Sequence, residues 1–305
     1  MSGTRRAILL AAAAGALALA LAALLARGGD PSPLDRLPDG IAVERDIPYG
    51  PGIHHRLDLA SGRDRSRPRP AVVLIHPGGW MHGDKSTCHG LMAELAQAGY
   101  AAVSVNFRPS SEARFPAALR DCKLAVRWLR SHAAEHGVDP SRIGVAGWSS
   151  GAHLALLLAL SGDAFENDGE PPGVSARVQA AVGFAGIYDF LLEEEGRFPN
   201  RADDPYVVAF LGGMPRENAD VARRASPVSH LTRDDPPLLV FHGEQDRRID
   251  VHQARRLAAA LGTIGRSDEV VILPDEGHGS DVLPADARSR ERALGFLARH
   301  LRPGE

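Results

Sequence analysis

Residues 147–151 follow the pattern G-x-S-x-G, with Ser149 at the centre. An apolar run at 142–146 precedes the pattern and a helical-looking run at 153–160 follows it, which predicts a strand, a tight turn and a helix. The glycines let the backbone reverse where neighbouring side chains would collide. A serine at the apex is open to a substrate and a base, so Ser149 is predicted to be a nucleophile. The alternative is an ordinary Gly/Ser-rich loop that matches the pattern by chance.

A serine hydroxyl is a poor nucleophile at neutral pH and needs a base that is itself held by a third group. His278 lies between two glycines in the loop after the last predicted strand. Asp246 lies in the loop after the strand before it, where Glu244 and Asp250 are competing carboxylates. The chain order serine, acid, histidine is one of the known orders of such a relay. The sequence therefore predicts that Ser149, Asp246 and His278 are catalytic, with a loop histidine of no role as the alternative for His278.

Residues 76–80 read His-Pro-Gly-Gly-Trp and come directly after a continuous apolar run. Glycines at such a place let backbone N–H groups approach a carbonyl oxygen, which is what an oxyanion hole requires. Pro77 has no N–H, so the donors must come from the residues after it. We predict that the N–H groups of Gly78, Gly79 and Ser150 form the oxyanion hole.

The elements that would position these residues alternate along the chain after an initial antiparallel hairpin. Strands are predicted at 41–49, 53–59, 71–76, 101–106, 142–146, 178–184, 237–242 and 269–273, and helices at 91–98, 116–136, 153–160, 251–261 and 287–301. Strands that alternate with helices favour an α/β fold with a mostly parallel sheet that helices cover on both faces. Residues 189–224 interrupt the alternation and are predicted to be a short lid or pocket wall without a chemical role.

The first 35 residues are predicted to lie outside this fold, which leaves a catalytic domain at 36–305. Arg5 and Arg6 precede an uninterrupted apolar run over 7–26. A helix of that length spans roughly 30 Å, enough for a bilayer core, and a charged start before an apolar run also describes a secretory signal. The sequence therefore predicts export, with the segment either cleaved as a signal peptide or retained as a membrane anchor. The protein would then be secreted, periplasmic or membrane-attached.

Composition excludes several classes of function. The chain has 35 Lys and Arg against 38 Asp and Glu, a net charge of −3, and no basic block beyond the first residues, so a nucleic-acid partner is not expected. The two cysteines, Cys88 and Cys122, are too few for a disulfide framework or a Cys/His zinc cluster. Both are predicted to be buried apolar fillers, with a single bridge between them as the alternative.

Several separate stretches, at consistent spacing over about residues 41–302, resemble the α/β-hydrolase superfamily. Within it they resemble the bacterial esterase/lipase group that includes hormone-sensitive-lipase-like and feruloyl-esterase-like enzymes. These stretches are residues 76–80, 83–86, 105–108, 115–123, 139–143, 226–227, 242–246 and 277–279. The chain departs from the pattern at Pro77, where a glycine is usual, and at Ala152, where a second glycine is often found. By the resemblance, Arg108 and Asp121 are scaffold residues.

The resemblance implies a serine carboxylesterase that forms an acyl-enzyme and uses no metal or organic cofactor. Short-chain acyl or aryl esters, including esters carried on glycans, are the substrates that such a group and an exported enzyme suggest. An arylformamidase or amidase, or a serine peptidase, could use the same three residues. A non-catalytic binding protein on a hydrolase scaffold is the alternative from another class.

Overall fold

Eight strands and eight α-helices form the computed structural model over the residues that it describes, 31–166, 173–192, 204–279 and 286–302. The strands are β1 (Ile41–Pro48), β2 (Arg56–Gly62), β3 (Arg69–Ile75), β4 (Ala101–Val105), β5 (Val138–Trp148), β6 (Ala180–Phe184), β7 (Leu238–Gly243) and β8 (Glu269–Leu273). The helices are α1 (His89–Gln97), α2 (Ala117–Ser131), α3 (Ala133–His136), α4 (Ser150–Leu160), α5 (Pro205–Leu211), α6 (Ala219–Ala225), α7 (His252–Thr263) and α8 (Ala287–Leu301).

The strands pair in one sheet in the order β1-β2-β4-β3-β5-β6-β7-β8. The pairs β1–β2 and β2–β4 are antiparallel, and the remaining pairs are parallel. The predicted hairpin and the predicted mostly parallel sheet are therefore confirmed. Because parallel strands end at the same edge, the loops after β3, β5, β7 and β8 meet there. These four loops carry every residue of the predicted relay and oxyanion hole.

Alternation along the central strands separates two apolar layers. In β3, Val72 and Leu74 pack in one cluster with α1 and α8, whereas Val73 and Ile75 pack in another with α2, α4 and α7. Side chains of successive strand residues point to opposite faces, so both faces of the sheet are covered. Helix α4 is apolar all round and every one of its residues is buried. The nucleophile therefore stands between a central strand and the most deeply buried helix.

Two regions of the chain have different helices from those that the sequence predicted. The helix predicted at 116–136 is two helices, α2 and α3, with a break at His132, whose N–H bonds back to the carbonyl of Trp128. The predicted lid at 189–224 contains helices α5 and α6, which the sequence analysis did not predict. Helix α5 begins after an Asp204 cap with Pro205 at its first position and ends at left-handed Gly212. These are standard start and stop signals for a helix, and they were readable from the sequence.

The packed region begins before the predicted boundary at residue 36. Leu34 lies in a one-turn helix and is 3% exposed, packed with the cluster around α1 and α8. Ser32 caps that turn, and its Oγ lies 2.9 Å from Nδ1 of His89. No pattern in the sequence indicated this contact, because one leucine in a Pro- and Asp-rich stretch gives no periodic signal.

The predicted export segment at 7–26 lies outside the described residues. Among the residues that the structure describes, no helix has both the length and the apolar character needed to cross a membrane. Cys88 and Cys122 are both buried, as predicted, and no disulfide joins them.

Candidate active site

Ser149 occupies a strained turn between β5 and α4. Its backbone has φ 57° and ψ −122°, a conformation that an L-residue adopts only when its surroundings impose it. The flanking glycines explain how the turn is tolerated. A Cβ on Gly147 would lie 2.3 Å from the carbonyl oxygen of Gly151, and a Cβ on Gly151 would lie 2.1 Å from the carbonyl oxygen of Ile75. The two glycines of the G-x-S-x-G pattern are therefore required by the space available at their positions.

His278 brings the serine and the acid together. Its Nε2 lies 3.0 Å from Ser149 Oγ, and its Nδ1 lies 2.7 Å from Asp246 Oδ2. A carboxylate only accepts, so Nδ1 carries the proton that it donates to Asp246, and Nε2 is free to accept the serine proton. The indole N–H of Trp148 donates to the His278 carbonyl at 2.9 Å and holds the histidine loop beside the nucleophile turn.

Asp246 is fixed by backbone donors as well as by the histidine. Its Oδ1 accepts the N–H groups of Arg248 at 2.8 Å and Ile249 at 2.9 Å. The Nε2 of buried His242 lies 3.4 Å from Oδ2. Burial alone would raise the pKa of this carboxyl, but hydrogen bonds from His242, His278 and the backbone hold that pKa well below its usual range. Asp246 is therefore ionised when His278 acts as a base.

The two carboxylates that competed with Asp246 in the sequence form ion pairs with other residues. Glu244 pairs with Arg255 at 2.7 Å, and Asp250 pairs with His252 at 2.6 Å. Neither is the carboxylate hydrogen-bonded to His278. The structure thus brings together the three residues that the sequence analysis selected.

The predicted oxyanion residues lie on the other side of Ser149. Gly79 and Ser150 line the same cavity as the serine, whereas Gly78 is not part of its wall. Ser150 is the first residue of α4, so its N–H belongs to the helix-end donors that have no partner within a helix. No group in the described part of the chain accepts the N–H of Gly79. The carbonyl of Gly78 accepts the N–H groups of Met81 and His82, and these two hydrogen bonds fix the turn of the loop.

A small cavity lies beside Ser149. Trp80 and Ile187 contribute apolar surface, and Asp204, Tyr206 and Val207 enter from the predicted pocket wall. The described part of that insertion therefore lines the site.

Trp80 and His153 form a buried link that the sequence analysis missed. The indole N–H of Trp80 donates to Nδ1 of His153, and Nε2 of His153 donates to the Ala225 carbonyl at 2.8 Å. Burial lowers the pKa of His153 to about 4, so the ring is neutral. Its position in the first turn of the helix that follows Ser149 was the available signal. The sequence analysis gave His242 no individual role either, although it faces Asp246.

Arg108 and Asp121 form the scaffold pair that the resemblance implied. The Arg108 guanidinium contacts both oxygens of the buried Asp121 carboxylate, with its shortest contact at 2.6 Å. Among the residues that the structure describes, no group of three His, Cys, Asp or Glu side chains could hold a metal ion.

Known proteins that resemble this chain in sequence or structure include esterases. The BD-FAE family model matches residues 57–261. Esterase LipQ of Mycobacterium tuberculosis is 34% identical over 262 residues, which cover 82% of this chain and 60% of LipQ. A solved structure described as a truncated form of carbohydrate esterase from gut microbiota has a TM-score of 0.77 at 26% identity, and covers 85% of this chain and 96% of that one.

A second solved structure is Thermogutta terrifontis esterase 2 phosphonylated by sarin, with a TM-score of 0.70 at 25% identity. The match covers 87% of this chain and 98% of the esterase. The chain spans about 60% of the length of LipQ and of two other mycobacterial relatives that it matches, LipC and LipM. Because the family match covers more than half of the sequence and the sheet has the expected topology, the chain belongs to the BD-FAE family of α/β-hydrolases.

Proposed function

We propose that this chain is a serine carboxylesterase that hydrolyses carboxylic esters through an acyl-enzyme. The observation that carries the proposal is the relay in which His278 lies 3.0 Å from Ser149 Oγ and 2.7 Å from Asp246 Oδ2. Similarity to curated esterases, and to an esterase that sarin phosphonylates, supports the same chemistry.

Acylation begins when Nε2 of His278 takes the proton of Ser149 and Oγ attacks the ester carbonyl. The carbonyl oxygen becomes negative in the tetrahedral intermediate and accepts hydrogen bonds from the N–H groups of Gly79 and Ser150. Each such donor is worth roughly 10²–10³ in rate. Gly78, one residue earlier, was predicted as a third donor; its position outside the cavity wall favours a shaping role instead.

The leaving alcohol takes the proton from His278, and the acyl group remains on Ser149. Water then repeats the sequence, with His278 as base and then as acid, and releases the carboxylic acid. Throughout both halves, Asp246 keeps the imidazole in the reactive tautomer and balances its positive charge. The backbone donors on Oδ1 prevent the carboxylate from turning away.

The substrates that we propose are esters of short acyl or aryl acids, including such esters on glycans. The small cavity beside Ser149 favours a small acid, since a long acyl chain needs a larger pocket. The similarity to a solved carbohydrate esterase supports the glycan-linked class.

The test compares p-nitrophenyl acetate and p-nitrophenyl butyrate hydrolysis by the wild type and Ser149→Ala. The substitution should lower kcat by about 10⁶-fold, because the relay acts as a unit. Ser161→Ala is the matched control. Ser161 follows the far end of α4, and its buried Oγ has no hydrogen-bond partner in the described chain, so the control should stay within about twofold of wild type. Equal rates for wild type and Ser149→Ala would overturn the proposal.

Assays of the wild type and Ser149→Ala also distinguish an esterase from an amidase or an arylformamidase, which could use the same three residues. Matched p-nitroanilide and formanilide substrates should be cleaved far more slowly than the esters. A preference for the anilide or the formanilide would replace the esterase by an amidase or an arylformamidase. Absence of hydrolysis with every substrate would favour a binding protein.

Export remains part of the proposal for the whole protein. The apolar residues 7–26 after Arg5 and Arg6 support it. The intact mass of the protein recovered from cells and from the medium measures whether the segment is removed. A full-length protein found only in the cytosolic fraction would contradict export.

A further inference from the structure

Arg248 delivers a positive charge to the cavity that contains Ser149. It lies two residues after Asp246, and its backbone N–H donates to the Asp246 carboxylate at 2.8 Å. Its side chain lines the cavity together with Ser149 and Gly79. Because its backbone helps to hold Asp246, the position of this side chain is tied to the geometry of the relay.

Of the groups that the structure describes, an aromatic ring and not an acid places the guanidinium of Arg248. Its carbon lies 5.5 Å from the ring centroid of Tyr206. Tyr206 packs in turn against the oxyanion loop, where a Cβ on Gly79 would lie 2.4 Å from the tyrosine ring. An aromatic face orients a guanidinium without neutralising it. The charge of Arg248 is therefore held at the cavity and left available.

Two arginines near Arg248 in the sequence form ion pairs, whereas, among the described residues, Arg248 and the adjacent Arg247 form none. Arg255 pairs with Glu244 at 2.7 Å and Arg256 pairs with Asp189 at 3.0 Å. Within the described residues, no carboxylate lies within 4.0 Å of a nitrogen of Arg248. A guanidinium in a substrate cavity, with five N–H donors and no protein carboxylate, is a binding group for a planar anion.

Asp204 is the other charged residue in the wall of this cavity. Its Oδ1 accepts the N–H of Tyr206 at 2.9 Å and caps helix α5. The carboxylate is thus used by the backbone and forms no ion pair with Arg248. Its negative charge opposes an anion in the cavity. Removal of that charge should therefore strengthen the binding of an anion, whereas removal of the Arg248 charge should weaken it.

We propose that Arg248 binds a carboxylate on the substrate, so that the enzyme prefers esters that carry an acid group a few bonds from the scissile carbonyl. The inference rests on the proposed esterase function and adds the charge of its substrate class. The planar fork of arginine matches the two oxygens of a carboxylate. The acid group can belong to the acyl part or to the alcohol part of the ester, and the test separates the two.

The test uses two pairs of esters that differ in charge. Mono-p-nitrophenyl adipate and p-nitrophenyl hexanoate place or omit a carboxylate on the acyl side. Acetoxybenzoate and acetoxybenzamide, both para-substituted, place or omit it on the alcohol side. The measured quantity is the ratio of kcat/KM for the charged ester to that for the neutral ester. Arg248→Ala should lower this ratio about tenfold in one of the two pairs, since hydrogen bonds to charged groups are the stronger class.

Arg247→Ala is the matched control, because Arg247 is adjacent in sequence and exposed like Arg248, but is not part of the cavity wall. It should leave both ratios unchanged. Arg248→Lys should retain part of the preference, since it keeps the charge and loses the fork. Asp204→Asn keeps the helix cap and removes the opposing charge, so it should raise the ratio that Arg248→Ala lowers.

Unchanged ratios in both pairs for Arg248→Ala would overturn the inference, as would an equal fall for Arg247→Ala. Either result leaves the proposed function intact if the neutral esters are still hydrolysed in a manner that requires Ser149. Failure of the wild type to hydrolyse any of the four esters would instead count against the proposed function. Thermal unfolding of each variant shows whether it is folded.

Discussion

The indole N–H of Trp80 donates a hydrogen bond of 3.1 Å to Nδ1 of His153 in the buried core beside the nucleophile. Trp80 belongs to the oxyanion loop and has a left-handed backbone with φ 59°, whereas His153 stands on α4 one turn after Ser149. The other nitrogen of His153 donates to Ala225 at the end of α6. One neutral imidazole therefore joins the loop after β3, the helix of the nucleophile and the insertion.

This link predicts the effect of His153→Leu. The substitution leaves the Trp80 N–H and the Ala225 carbonyl buried without partners, each at a cost of about 1–3 kcal/mol. We expect a lower melting temperature and a kcat reduced at least tenfold with a smaller change in KM, because the oxyanion loop acts mainly in the transition state.

A double-mutant cycle separates the hydrogen bond from general damage. Trp80→Phe removes the donor but keeps a ring where Trp80 stacks on Phe210, 4.4 Å between centroids. If the hydrogen bond is what positions the loop, Trp80→Phe and His153→Leu together should lose less than the sum of their separate effects on kcat. Additive losses would contradict the positioning role.

Acidification should destabilise the protein through His153. Its folded pKa is lowered by burial to about 4, and the unfolded value is about 6.5. Between these values the unfolded chain binds the proton more readily, so the free energy of unfolding falls as the pH decreases from about 6.5 to about 4. The full effect is on the order of 3 kcal/mol. Urea unfolding across this range should show a shallower decline for His153→Leu than for the wild type, and parallel declines would refute the assignment.

The carboxylate assignment predicts a large loss for Asp246→Asn. The asparagine keeps the shape but no longer fixes the tautomer of His278, which should reduce kcat by about 10⁴-fold. Glu244→Gln is the matched control, because Glu244 lies in the same loop and pairs with Arg255. Steady-state ester hydrolysis measures both. A greater loss of kcat for Glu244→Gln than for Asp246→Asn would show that Asp246 is not the acid of the relay.

Gly79→Ala should damage the oxyanion loop. The new Cβ would lie 2.4 Å from the Tyr206 ring, and φ of 62° is strained for alanine by about 1–2 kcal/mol. We expect a kcat reduced by about 10²-fold or more as the N–H is displaced. Gly262→Ala has nothing within 4 Å of the new Cβ and lies inside α7, so it should raise the stability by about 0.5–1 kcal/mol and leave kcat unchanged. Equal kcat values for the two variants would argue against the oxyanion role of Gly79.

The sheet and the relay were predictable because their signals are local. A buried parallel strand such as β3 is a continuous apolar run, and β8 was predicted with its observed limits. The turn around Ser149 imposes a backbone conformation that only a few sequences satisfy. Asp246 and His278 each follow a predicted strand, and the common edge of a parallel sheet brings such positions together.

The parts that were missed depend on contacts between distant segments. His153 reads as one polar residue in an apolar helix until Trp80 and Ala225 are placed beside it. Arg248 resembles its exposed neighbour Arg247 in sequence, and only the fold shows which of them faces the cavity. Leu34 is a similar case, because its burial is decided by α1 and α8 and not by its Pro- and Asp-rich surroundings.

The most direct test of the account is covalent labelling of the nucleophile. The wild-type protein and Ser149→Ala are incubated with an activated phosphonate ester, and the adduct is located by intact mass and peptide sequencing. The account predicts one adduct on the wild type, at Ser149, and none on the variant. An unlabelled wild type, or an adduct on the Ser149→Ala protein, would contradict it.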